Sequence, residues 1–143
     1  MMEIAVRMLF WLLLGLACVL DARERRCPNV LAASLAVVSA LLCLACSGLA
    51  VLGWHAFLSV LTCSALVAFE LLWRRLCGTS GLGMGDIKVL FSLCLVDPVR
   101  GVLSFCFGLI LLALFGIFTR QRTLPALPFL CGAFLVVTLF CLL

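Results

Sequence analysis

Residues 30–72 read VLAASLAVVSALLCLACSGLAVLGWHAFLSVLTCSALVAFELL, and Glu70 is the one Asp, Glu, Lys or Arg among them. As a single helix this stretch would be roughly 64 Å long at ~1.5 Å per residue, about twice the ~30 Å thickness of a bilayer's hydrocarbon core. It must therefore fold back on itself. The expected turn lies within CSGLAVLGWH, residues 46–55, where Ser47, Gly48 and Gly53 loosen the helix and Trp54 and His55 suit a membrane interface.

Working outward from this hairpin, further apolar stretches cover residues 4–20, 84–96, 102–118 and 124–143. Of the 143 residues 67% are hydrophobic and only 11% charged, more apolar surface than a soluble domain of this size could hide. The expected fold class is therefore all-α, a polytopic membrane bundle of six transmembrane helices. No polar block is long enough to form a second domain, so residues 1–143 are expected to make one integral-membrane domain. The first span is expected to stay as the first helix rather than be cleaved as a signal peptide, because no small-residue cleavage site follows it. Asp97-Pro98 reads as an N-cap followed by proline at the first helical position, and Pro125 is expected to open the last helix in the same way.

Ten Lys and Arg stand against six Asp and Glu. The basic residues occur in twos and threes between apolar runs, without the aromatic interleaving or basic stripe that tracks a phosphate backbone, so no nucleic-acid partner is expected. Their placement fixes a topology. Arg23, Arg25, Arg26, Arg74, Arg75, Arg120 and Arg122 fall in the connections after the first, third and fifth spans, against Arg100 and Arg7 on the other side. The positive-inside rule makes those three connections cytoplasmic and puts both termini outside. The ten cysteines sit mostly in apolar runs, where Cys acts as a small hydrophobe. Cys43 and Cys46 form a C-x-x-C inside a span, with neither a second pair nor histidines to complete a zinc site, so no metal is expected.

Residues 83–88 read GMGDIK, an acid at the edge of an apolar stretch. An acid near hydrocarbon costs a few kcal/mol, up to ~2.5–3.5 at a helix centre, which makes it a functional candidate. Glu3 is terminal, Glu24 sits among arginines, Glu70 precedes Arg74 by one helical turn as an ion pair would, and Asp97 is a cap. Asp21 and Asp86 are left. The topology brings both to the cytoplasmic level, where a close pair of carboxyls can share one proton and hydrolyse a peptide as aspartic proteases do, without metal or cofactor. The competing structural reading has Asp21 joining Arg23 and Arg25 in a solvated turn and Asp86 capping the fourth helix. Gly83 and Gly85 would let the segment leave the helix and a substrate backbone approach Asp86. Lys88 fits either a motif role or a lysine snorkelling to the interface. His55, on the far side, reads as an interfacial residue outside the site. GTSGLGMGD has neither the preceding strand nor the spacing of a phosphate loop.

GMGDIKVL, residues 83–90, resembles the G-x-G-D-x-K motif of type IV prepilin peptidases, and DARERRCPN, residues 21–29, resembles their first-aspartate motif, an Asp followed by Pro-Asn. LPALPFLCGAF, residues 124–134, resembles the proline-containing opening of the family's last helix. The likeness covers almost the whole chain in the right order. It implies Asp21 and Asp86 as catalytic residues, with Gly83, Gly85, Lys88, Pro28, Asn29 and Pro128 shaping the site or binding substrate. It further implies a multi-pass protein of the cell (inner) membrane that cuts prepilins or pseudopilins at the cytoplasmic face, where a short basic leader precedes a hydrophobic helix. Cys27 departs from the aliphatic residue usual before Pro-Asn. Longer members carry zinc-binding paired cysteines in an insertion or N-terminal segment and also methylate the new N-terminus. Few residues precede the first helix here and the first connection is short, so no N-methylation is expected, as in the minimal peptidases of tight-adherence pili. Two rival readings are a non-catalytic membrane subunit of a pilus machine, and a presenilin-like protease, which shares only G-x-G-D and is much longer.

Overall fold

A computed structural model of the chain describes residues 2–24, 28–78, 83–119 and 125–141, and all regular structure among them is helical. Among the described residues there are six helices: α1 (Met2–Glu24), α2 (Asn29–Ser47), α3 (Leu49–Cys77), α4 (Met84–Val96), α5 (Pro98–Thr119) and α6 (Leu127–Phe140). By length and composition α1, α2, α3 and α5 can each cross a membrane, whereas α4 and α6 are shorter.

The boundaries follow from local chemistry. The α2–α3 turn is a single residue, Gly48, at φ 85°, a left-handed value that glycine alone adopts freely. This is narrower than the turn expected from residues 46–55: Gly53 and the interfacial pair Trp54 and His55 lie inside α3. Asp97 caps α5 as expected, its Oδ1 accepting the backbone N–H of Val99 at 3.0 Å and of Arg100 at 3.1 Å, with Pro98 at the first position. Pro125 does not open α6. The helix begins two residues later at Leu127, and Pro128 takes the early proline position. Arg25, Arg26, Cys27, Arg120 and Arg122 lie outside the described residues.

Five helices close a ring in which α1 packs on α2 and α6, α2 on α4, α4 on α5, and α5 on α6, while α3 lies outside it against α2 and α4. The short α4 is the hub. Seven of its 13 residues are buried, and Val89, Leu90, Leu93 and Cys94 join Phe10 and Leu14 of α1, Leu35 and Val38 of α2, and Leu127, Leu130 and Phe134 of α6 in one core. Only Ser59 and Glu70 of α3 are buried.

Small residues permit these close crossings. A Cβ at Gly101 would stand 2.9 Å from the Cys94 backbone nitrogen, and one at Gly108 would stand 3.1 Å from Leu130 Cα. Ser59 and Ser92, both fully buried, return their hydroxyl protons to the carbonyls one turn back, His55 and Lys88, so no polar group is stranded there.

Candidate active site

Nothing in Ala22, Arg23 or Glu24 breaks a helix, so α1 continues past Asp21 and the acid falls in the last turn. It is 8% exposed rather than part of a solvated turn. Its Oδ2 accepts the backbone N–H of Leu127 at 3.3 Å. Leu127 opens α6, whose own N-cap residue, Ala126, offers no side-chain acceptor, and Pro128 has no N–H. Asp21 therefore supplies from α1 the cap that α6 lacks.

Asp86 lies in the first turn of α4, two residues before Lys88 and three after the N-cap residue Gly83. Its carboxyl takes the Gly83 backbone as a hydrogen-bond partner, the geometry of an acid reaching back to its own helix start. The two carboxyls lie within electrostatic reach of each other. Gly83 has φ −73° and ψ 132°, an extended conformation open to any residue, so its glycine is explained by space: a Cβ there would lie 2.8 Å from Asp86 Oδ2. Gly85, expected to leave the helix, lies inside the first turn of α4 instead, and the chain is extended only at Gly83.

Pro28 is the extended N-cap residue of α2, and its carbonyl accepts the Ala32 N–H at 3.1 Å. Asn29 follows as the first helical residue, and its Oδ1 accepts from Lys88 Nζ at 2.6 Å. Lys88 thus pairs across α2 and α4. Beneath that bond a cleft of about 430 Å³ separates α2, α3 and α4, lined by Ala32, Ala36, Cys63, Ile87 and Phe91.

Other polar residues stand apart. Glu70 accepts from Arg74 Nε at 2.7 Å, the expected ion pair, and the acid is buried. His55 Nδ1 is 3.2 Å from the Leu95 carbonyl, which can only accept, so this nitrogen carries the proton and caps the far end of α4. Cys43 Sγ lies 3.5 Å from the same nitrogen, and Cys46 donates to Glu3. Among the described residues no three His, Cys, Asp or Glu side chains converge as metal ligands would.

The group that the sequence does not reveal is the Leu127 N–H. A backbone donor leaves no side-chain signature, and the one local signal is Pro128, which marks a helix start nearby.

The model of the type IV leader peptidase family matches residues 8–118, a segment that contains both aspartates and ends before α6. No curated protein and no solved structure matches the chain.

Proposed function

Because the chain belongs to the type IV leader peptidase family, and is in that sense a peptidase built on membrane-span-like helices, we propose that it is an aspartic endopeptidase that removes the short basic leader of prepilins or pseudopilins. The observation that supports this reading is that Asp21, in the last turn of α1, and Asp86, in the first turn of α4, lie at one end of the bundle within electrostatic reach of each other although 65 positions apart.

In such a pair one carboxyl is ionised and the other protonated. The ionised carboxyl takes a proton from water, and the hydroxide formed attacks the scissile carbonyl carbon. The protonated carboxyl gives its proton to the carbonyl oxygen, which completes a tetrahedral diol. When the C–N bond breaks, the amine leaves with a proton returned by the dyad. The chain's own residues suffice for every transfer.

The proposal includes six spans with both termini outside, a cut at the cytoplasmic face of the cell (inner) membrane, and no N-methylation. The orientation is supported by the arginine distribution, and the lack of methylation by the short connection from Glu24 to Asn29, which has no room for an inserted zinc-binding domain. The test is co-expression with candidate small prepilins, scored by gel shift and by mass spectrometry of the mature N-terminus. The expected product lacks the leader and carries an unmethylated amine. An uncleaved panel, with the peptidase present in the membrane, counts against the reading, and a methyl increment that depends on this protein counts against the last part.

A further inference from the structure

We infer that the Lys88–Asn29 hydrogen bond is a strut that sets the separation of the two carboxyls, making both residues positioning residues that do not touch substrate. The inference rests on the aspartyl-peptidase reading.

Asp21 ends on α1 and Asp86 begins on α4, and among the described residues these two helices share no extended packing. The register between them runs through α2, which packs on both. At the level of the aspartates a cleft of about 430 Å³ opens beside that connection, lined by Ala32 and Ala36 of α2 and by Ile87 and Phe91 of α4, so the contact between the two helix ends is incomplete there. The bond from Lys88 Nζ to Asn29 Oδ1 crosses the lip of that cleft at 2.6 Å, the length of a charge-assisted hydrogen bond.

One end of the strut sits on the helix that carries Asp86, and the other opens the helix that packs on α1. Lys88 is two residues from Asp86 on one helix, and at about 100° per residue the two side chains point about 200° apart, Lys88 toward α2 and Asp86 away from it. A pull on Lys88 therefore turns the first turn of α4 and swings Asp86. At the other end Asn29 is the first residue of α2, which packs on α1, the helix that carries Asp21. The chain enters α4 through the extended Gly83, which has no side chain to anchor it. The strut closes a loop from Asp21 through Asn29 and Lys88 to Asp86.

The experiment uses Lys88→Met, which keeps the apolar stem and loses the donor, Asn29→Leu, which loses the acceptor, the double variant, and Asn29→Asp, which keeps an acceptor. Each single loss is expected to lower kcat about tenfold or more with KM nearly unchanged, the double to be no worse than the worse single, and Asn29→Asp to recover most of the rate. Spin labels at the exposed Ala22 and Met84, in a background without native cysteines, give a readout independent of cleavage. Their distance distribution should shift or broaden in Lys88→Met and return to the parent's in Asn29→Asp. An unaltered distance in Lys88→Met, an unaltered rate, effects that multiply in the double variant, or a change confined to KM would each overturn the inference. If the parent cleaves no prepilin, the peptidase reading fails while the label distances still decide whether the strut exists.

Discussion

In the proposed mechanism each carboxyl of the pair has two jobs, and a conservative substitution can separate them. Asp21 caps α6 through Leu127 N–H and Asp86 reaches back to Gly83, roles that an amide oxygen fills about as well as a carboxylate. An amide cannot exchange protons with water or substrate. Asp21→Asn and Asp86→Asn should therefore each keep membrane abundance near normal while lowering leader cleavage at least ~10²-fold, the smaller end of what acid–base catalysis contributes. Robust processing by either variant in the co-expression assay would remove the aspartyl mechanism. Gly83→Ala asks the same question sterically. The backbone at φ −73° accepts alanine, so folding should be unaffected, but the new Cβ would sit 2.8 Å from Asp86 Oδ2 and force the carboxyl aside. A displacement of about 1 Å can cost ~10²-fold in rate. Cleavage kinetics should show that loss in kcat, with a thermal midpoint in detergent equal to the parent's.

Among the helices, α4 is held by contact at both faces and both ends, and its tolerance to substitution should map onto those contacts. At Gly101 of α5 a Cβ would meet Cys94 Sγ at 2.7 Å and backbone nitrogen at 2.9 Å, and backbone cannot swing away as a side chain can. Gly101→Ala should push α5 off α4 at a cost of about 1–3 kcal/mol, typical of overpacking, read as a lower thermal midpoint and lower abundance. Gly132→Ala on α6 is the control: no heavy atom lies within 4 Å of its Cβ position, and alanine favours a helix interior over glycine by ~1 kcal/mol, so its midpoint should hold or rise. The same elements show where sequence stops being informative. The Asp97 cap was legible because donor and acceptor lie within three residues of each other. The α2–α3 turn was legible only as a neighbourhood, since Ser47, Gly48 and Gly53 break a helix equally well on paper. His55 of α3 binds the Leu95 carbonyl, a contact 40 positions away, and that bond belongs to a helix that already includes Gly53. Pro125 and Pro128 both fit a helix start by rule, and the start at Leu127 accompanies a bond to Asp21 across 106 positions. The aspartates could be picked out by eliminating the other acids, whereas the Lys88–Asn29 bond, 59 positions apart, could not be read from either residue alone.

At the scale of the whole molecule the polar contacts sort into two ends. Asp21, Leu127, Asp86, Lys88 and Asn29 meet at one end, where α1 finishes and α2, α4 and α6 begin. Cys43, Cys46, Glu3, His55 and Leu95 meet at the other, where α2 and α4 finish and α1 and α3 begin. Consecutive helices therefore alternate in direction, as a polytopic chain requires, and Arg23, Arg74 and Arg75 fall at the aspartate end with Arg7 and Arg100 at the other. In the proposed orientation, which follows the positive-inside rule, the aspartate end faces the cytoplasm. At 13 residues α4 spans only ~20 Å of a ~30 Å hydrocarbon core, while α3 at 29 residues spans ~43 Å, so the hub sits below the level its neighbours reach. A sunken, extended helix entry is tolerated at membrane depth where it borders water, so the proposed peptidase is expected to hold Gly83 and Asp86 in a shallow wet cleft open to the cytoplasm. Single cysteines at Met84, 46% exposed at this entry, and at Leu49, 75% exposed beside the Gly48 turn, test both halves of that statement in a background with the ten native cysteines replaced. A charged, membrane-impermeant thiol reagent should label position 84 in inverted vesicles only and position 49 in right-side-out cells only. Labelling of both from one side would break the alternation of the helices, the reverse pattern would invert the orientation, and an unreactive position 84 in both preparations would close the cleft that the peptidase needs for its water.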